Sequence, residues 1–383
     1  MNFLFYAPQM APYGGMERHI CGLANALAAR GHHVELLTTS NSLGRELRDG
    51  LLTHGVLLHE LPIDRGHARH RSAAFRKAWW LLQKSLSLRR TTWDVIYTNG
   101  QSALSRLVWI AGRARARIVH HHHTAADEDE QGSWSPIFRH VIGRAREIVA
   151  CSRATQAALE TALHRHDVSF LPYLTSAAMP ADRVEEISYD DERPLHFAFM
   201  GRLVPEKGID AILALSRRAS LADIRWHIHG AGAGYDEELF RNYPNVVYHG
   251  PFAGMGAMGP ALRTTDALVL FSLHNEGMPL SLIEGMSAGL PWIATDRGGT
   301  REIALSSANC LLVSNGHDLD SLARAAREMA RRLRAGETSR REQRRLYDQV
   351  FSPQAVTAAW AAFLERTESP RPLATPLTAN EIG

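Results

Sequence analysis

The chain has 383 residues, 45% apolar and 22% charged, a composition that fits a soluble globular protein with length for two domains, each with its own core. Its net charge of +3 gives no reason to expect a nucleic-acid partner, and no stretch approaches the roughly 18 uninterrupted apolar residues of a spanning helix. Cys21, Cys151 and Cys310 show neither metal-ligand spacing nor a disulfide framework, as in a reducing cytoplasm.

Phe3 to Ala7 is a short apolar run that reads as a first strand rather than a signal peptide, because no basic leader or cleavage site accompanies it. Gly14-Gly15 follows, then helical periodicity from Met16 to Arg30 closed by Gly31. Strands are expected at Val34 to Thr38, Val56 to Leu61, Val95 to Thr98, Ile118 to His122 and Ile148 to Cys151. Thr175 to Pro194 is polar, acidic and poor in large aliphatics, so it reads as a linker. The pattern then restarts, with strands at His196 to Met200, Ile224 to His229, Val246 to His249, Ala267 to Phe271 and Trp292 to Thr295. Helices are expected at Gly208 to Ala219, after Pro279, at Leu319 to Leu333 and at Pro353 to Glu365, and the tail from Ser369 reads as disordered. Alternation of this kind predicts parallel sheets covered by helices, with the ligand outside the carboxyl ends of the strands.

The densest chemical signal is Glu276 and Glu284, eight positions apart in a loop that runs into a helix. Free backbone N–H groups and the positive end of a helix dipole favour phosphate there, and nearby carboxylates accept hydrogen bonds from sugar or ribose hydroxyls. Arg202 and Lys207, in the loop after the first strand of the second half, could neutralise a diphosphate leaving group without a metal. Gly14-Gly15 could face an anion, or could be a turn that needs positive φ. His229-Gly230-Ala231-Gly232-Ala233-Gly234 lacks dinucleotide spacing and reads as a close-approach turn lining the cleft. In the run His120 to His123, alternation puts His121 and His123 on one strand face and His120 and His122 on the other. No convergent carboxylate or cysteine accompanies them, so packed imidazoles are the expectation, with His123 nearest the cleft. From Arg65 to Arg90 the chain is basic, without Asp or Glu, and carries Phe75, Trp79, Leu82 and Leu86 at helical spacing beside Trp80. Two readings stand: a helix docked on an anionic membrane surface, or a covering helix with its apolar stripe in the core.

With these residues placed, the chain resembles the retaining glycosyltransferases of family 4. The resemblance rests on Pro12-Tyr13-Gly14-Gly15-Met16-Glu17, on Gly201-Arg202 with Glu206-Lys207-Gly208, on the E-x7-E motif from Glu276 to Glu284, and on Ala288-Gly289-Leu290-Pro291 with Asp296 to Glu302. It implies an α/β chain of GT-B fold: two Rossmann-like βαβ domains facing each other across a cleft, with the C-terminal helix crossing back to the N-domain. The implied layout is an acceptor-binding domain at 1–178, a linker at 179–194, a nucleotide-sugar-binding domain at 195–350, a crossover helix at 351–368 and a disordered tail at 369–383. The implied roles are donor diphosphate binding by Arg202 and Lys207, sugar contact by Glu276, and ribose contact by Glu284. The backbone of Gly277, Met278, Pro279 and Leu280 lines the phosphates, Gly15 faces the distal phosphate, and His123, followed by Thr124, lies near the reacting sugar. Implied too are no cofactor, no metal, a UDP- or GDP-sugar donor and a glycan or lipid-linked acceptor. The chemistry would be hexosyl transfer in cell-surface polysaccharide or lipopolysaccharide synthesis, in the cytoplasm or at the inner face of the membrane. The competing readings are a nucleotide-sugar epimerase, a phosphorylase, or a catalytically silent sugar-nucleotide binder. Leu171-Pro172-Tyr173-Leu174 departs from the Asn-Gly that many relatives carry there, and Glu276→Ala is expected to remove activity with the fold intact.

Overall fold

The computed structural model describes all residues except 9, 13, 40, 42, 62–70, 113–114, 191, 253–257 and 367–383, and omits the side chains of 71 and 72. Two wholly parallel sheets organise the chain. The first contains β1 (Asn2–Tyr6), β2 (His33–Thr38), β3 (Leu57–Glu60), β4 (Val95–Asn99), β5 (Arg117–His122), β6 (Glu147–Ala150) and β7 (Val168–Phe170), in the order β3-β2-β1-β4-β5-β6-β7. The second contains β8 (Leu195–Met200), β9 (Ile224–His229), β10 (Val246–Gly250), β11 (Ala267–Leu270), β12 (Trp292–Thr295) and β13 (Cys310–Val313), in the order β10-β9-β8-β11-β12-β13. In each sheet the chain order reverses beside the first strand, between β1 and β4 and between β8 and β11. That reversal opens a crevice at the strands' carboxyl ends.

The central strands are apolar throughout because both faces are covered. Phe3 and Phe5 of β1 pack with the opening helix Gly15–Ala29, while Leu4 and Tyr6 turn to the opposite face against Leu81, Leu88 and Ile96. β7 and β13 were not expected from sequence. They are short edge strands of three and four residues, too brief for periodicity to register. Also unforeseen is the helix Arg340–Val350, whose buried positions include Arg340, Gln343 and Tyr347. A polar buried face carries no hydrophobic period.

The last helix, Pro353–Glu365, crosses back to the first domain and inserts Val356, Trp360, Phe363 and Leu364 into its core. Trp360 Nε1 donates to the Pro172 carbonyl at 2.8 Å. Arg117, at the start of β5, donates to the carbonyls of Phe363 and Leu364 at 3.0 Å each and of Arg366 at 2.8 Å, satisfying the helix's orphan C-terminal acceptors. Glu147 holds Arg117 in place at 2.8 Å.

One of the two readings of the basic segment fails in part. Arg65 and Arg69 lie outside the described residues, but the helix Arg71–Leu88 is present. Its buried positions are Ala73, Lys77, Leu81, Ser85 and Leu88. The predicted apolar stripe faces outward instead, with Phe75 69%, Trp79 52% and Leu86 49% exposed. The core-facing stripe is therefore a second, less hydrophobic one, in which Ala73, Lys77 and Ser85 stand beside Leu81 and Leu88.

Candidate active site

The loops after β8, β11 and β12 meet at the crevice of the second sheet. The 3₁₀ turn Pro205–Lys207 is tied to the loop after β11: Leu273 N–H donates to the Glu206 carbonyl at 2.8 Å, and His274 Nδ1 lies 3.1 Å from the same oxygen. This sets Lys207 Nζ 2.6 and 2.7 Å from the two carboxylate oxygens of Glu276. Ser272 Oγ donates to Glu276 as well, and Gly299 N–H holds the Glu276 carbonyl at 2.8 Å. Burial alone would raise the Glu276 pKa, but Lys207 and the Ser272 hydroxyl overcome it and hold the group below the usual carboxylate range. A charged carboxylate is thus fixed in a nearly dry position. Arg202 stands on the preceding loop, exposed. Met278 is buried, and Pro279 precedes the helix Leu280–Ser287, whose start no side chain caps. Anions are favoured at such a start. Pairing with Glu276 is a use of Lys207 that the sequence reading did not foresee.

Glu284 lies in the second turn of that helix, 2% exposed. Its ion-pair partner is Arg18, from the opening helix of the other domain. Burial raises the Glu284 pKa, and Arg18 only partly counters it. Gly15 is the first residue of the opening helix, and Gly14 before it has φ −173, so a positive-φ turn is not the reason for the glycine pair. Proximity is: a Cβ on Gly15 would sit 2.2 Å from Leu280 Cδ1. Gly277 is similarly close to the first domain, where a Cβ would lie 2.9 Å from the His123 carbonyl oxygen. Asn275 Nδ2 donates to Asp127 Oδ2 at 2.9 Å, and Glu302 accepts from Arg153 N–H and Ala154 N–H at 2.7 Å each. The last pair places a carboxylate at the positive end of the helix Arg153–Leu163. The two domains meet directly along the cleft.

The histidine run divides by face as alternation requires: the His121 and His123 rings are 4.0 Å apart, and His122 turns away to Glu130 at 2.8 Å. In each of the four rings one nitrogen meets a side chain and the other is buried without a hydrogen-bond partner. His121 Nδ1 meets Tyr97 Oη at 2.6 Å, and His123 Nδ1 meets Tyr173 Oη at 2.7 Å. Tyr173 spends its one proton on the His123 carbonyl at 3.0 Å, so Nδ1–H of His123 is the donor and Nε2 keeps a lone pair, buried without a protein partner. His19, unnoticed in the sequence, joins this group from the opening helix, its Nδ1 accepting from Leu174 N–H at 2.9 Å. That bond leaves the His19 proton on Nε2, so His19 is no metal ligand in this tautomer. Among the described residues no three His, Cys, Asp or Glu side chains are arranged to hold a metal. The glycine run after His229 packs against the Arg202 loop, where a Cβ on Gly230 would lie 1.8 Å from the Gly201 carbonyl oxygen.

Residues 14–173 match the Glycosyl transferase 4-like domain, and residues 194–332 match Glycosyl transferases group 1. The first match takes in β2 to β7 of the first sheet, and the second takes in the whole second sheet. The chain belongs to the GT-B glycosyltransferases. Phosphatidyl-myo-inositol mannosyltransferase of Mycolicibacterium smegmatis is 26% identical over 347 residues, covering 86% of this glycosyltransferase and 85% of that protein. GDP-mannose-dependent alpha-mannosyltransferase of the same organism is 31% identical over 153 residues, 39% of each chain. Anabaena HepE in complex with UDP superimposes with a TM-score of 0.72 at 18% identity, covering 95% of this chain and 100% of that one.

The sequence signals for Glu276, Lys207 and the helix after Pro279 lead to one place in the glycosyltransferase, and Arg202 stands exposed on the adjoining loop. The sequence hid Arg18, Ser272, Tyr173 and His19. The sequence signal that could have found Tyr173 is the departure at 171–174: its aromatic ring stacks on His123 with centroids 5.4 Å apart. Nothing local marks Arg18, whose partner is more than 260 positions away.

Proposed function

We propose that the enzyme transfers a sugar, with retention of anomeric configuration and without a metal, from a UDP- or GDP-sugar to a glycan or lipid-linked acceptor. The observation that carries this reading is the buried Lys207–Glu276 pair beside the uncapped start of the helix Leu280–Ser287. In this reading Arg202, Lys207 and the backbone at 277–280 take the diphosphate, and their fixed charges and dipoles stabilise its departure in a dry cleft. Glu276 accepts hydroxyls of the transferred sugar as positive charge develops on the ring, Glu284 holds the ribose, and Gly15 and His123 face the reacting side. No residue is assigned as a nucleophile. Both bases stay within the proposal, since one relative is named for GDP-mannose and one similar structure holds UDP.

The test is a thermal-shift series in EDTA with UDP, GDP, ADP and their sugar conjugates. The expected result is a higher melting temperature with one nucleotide family, growing with ligand concentration. A shift that returns only with divalent metal would overturn the metal-free part.

No helix among the described residues is long and apolar enough to cross a membrane. A peripheral place at the inner membrane face, in cell-surface polysaccharide or lipopolysaccharide synthesis, is supported by the outward Phe75, Trp79 and Leu86 with exposed Arg76 beside them. The enzyme is expected to co-sediment with anionic vesicles and much less with neutral ones, and a Phe75→Ser/Trp79→Ser variant to lose this binding. Binding that ignores lipid charge would sink the membrane reading.

A further inference from the structure

Gly15 and Arg18 are three residues apart on the opening helix, and Leu280 and Glu284 are four apart on the helix of the second domain, so each pair shares one helix face. The two faces meet: Gly15 lies against Leu280, and Arg18 Nη1 pairs with Glu284 Oε1. The pair is well removed from water, with side-chain exposures of 16% for Arg18 and 3% for Glu284. Arg18 Nε is buried and makes no hydrogen bond. Lys207 pairs with Glu276 and not with Glu284. Arg18 holds Oε1, so a pair of ribose hydroxyls that takes both carboxylate oxygens meets the guanidinium as a competitor for one of them.

We propose that Arg18 is a positioning residue that gates the donor, competing with the ribose of a nucleoside diphosphate for Glu284. This rests on the reading of Glu284 as the ribose carboxylate. Donor binding then requires the Arg18 side chain to move off Glu284, which removes the ion pair that joins these two helix faces. The conformer with the pair made is withdrawn from the binding-competent population, so the pair lowers apparent nucleotide affinity by the fraction of molecules that hold it. Arg18 thereby links the occupancy of the second domain to the position of the first domain's opening helix. That helix also carries His19 against the His121 and His123 rings.

The experiment is calorimetric titration of the full-length enzyme with UDP and with GDP, comparing wild type, Arg18→Ala, Glu284→Gln and the double variant. Arg18→Ala is expected to bind the preferred nucleotide about three- to tenfold more tightly, by removal of the competitor. Glu284→Gln is expected to bind more weakly, and the double variant to match Glu284→Gln, because Arg18 has nothing to withhold once the charge is gone. If Arg18→Ala does not fold with Glu284 unpaired, Arg18→Gln, which keeps a hydrogen bond without the charge, takes its place with the same expected sign. Binding by the Arg18 variants that is unchanged or weaker, with Glu284→Gln weakened, overturns the gate and leaves the donor site standing. Unchanged binding by Glu284→Gln overturns the ribose reading instead, and the gate falls with it.

Discussion

Glu276→Gln is expected to lower the rate of transfer by about a hundredfold or more while nucleotide binding is kept and the melting temperature falls less than in Glu276→Ala. The glutamine keeps the shape and one acceptor oxygen, but it removes the charge that would face the developing positive sugar. It also turns an amide donor toward Lys207, whose ammonium now lies 2.6 Å from a carboxylate oxygen. The alanine variant suggested by sequence alone is the poorer test. Glu276 is 6% exposed and pairs with a partly buried lysine. Removing one partner of a buried pair costs about 3–5 kcal/mol, so the expectation that Glu276→Ala spares the fold does not follow once Lys207 is seen. Initial rates of transfer and donor hydrolysis, with melting curves run beside them, decide the matter. A glutamine enzyme of wild-type turnover would mean that the sugar sits elsewhere.

Acid should weaken the fold well before the carboxylates titrate. Burial pushes His19 and His120 down to about 3, and His227 and His229 to about 4, while His121 and His123 lie well below the ordinary imidazole value. His19, His121 and His123 pack among Tyr97, Tyr173 and Trp360, His120 packs against Phe138 on the other strand face, and His227 and His229 lie along β8, β9 and β10. On those strands His227 uses both ring nitrogens, at 2.8 Å from His196 and 2.8 Å from His249. The sign follows from where the proton binds. Below the ordinary value near 6.5 the unfolded chain takes up protons that the native rings refuse, so stability is full above about 6.5 and falls as pH drops toward the native values. One fully buried imidazole contributes a loss of about 2 kcal/mol between pH 7 and pH 5. Glu284, raised by burial, works in the opposite direction and offsets part of this. Urea unfolding is therefore expected to show midpoints that are flat from pH 7 to 8 and decline steeply from pH 6.5 to 4.5. A flat midpoint across that lower range would show that these rings are hydrated and free to charge.

The split between what sequence made visible and what it hid has a physical origin. The strands β1 to β6 and β8 to β12, the opening and closing helices, and the placing of Lys207 and Glu276 on loops beside the helix after Pro279 were all legible. Each is written locally: an apolar run buried on two faces, a helical period, or a loop at a strand's carboxyl end. The direction of the Phe75–Trp79–Leu86 stripe was not legible, because apolar spacing reports that a face exists and not which neighbour covers it. The partner of Lys207, the pairing of Arg18 with Glu284 and the His19–His121–His123–Tyr173 group were closed to sequence for a stronger reason. These contacts join segments 69, 266 and up to 154 positions apart, and their energies depend on burial that exists only after both sheets have formed. The sequence by itself determined two parallel sheets and the residues brought to the crevice between them. Only the tertiary structure decided which charges neutralise one another there, since a buried charge takes whichever partner the packed domains bring within reach.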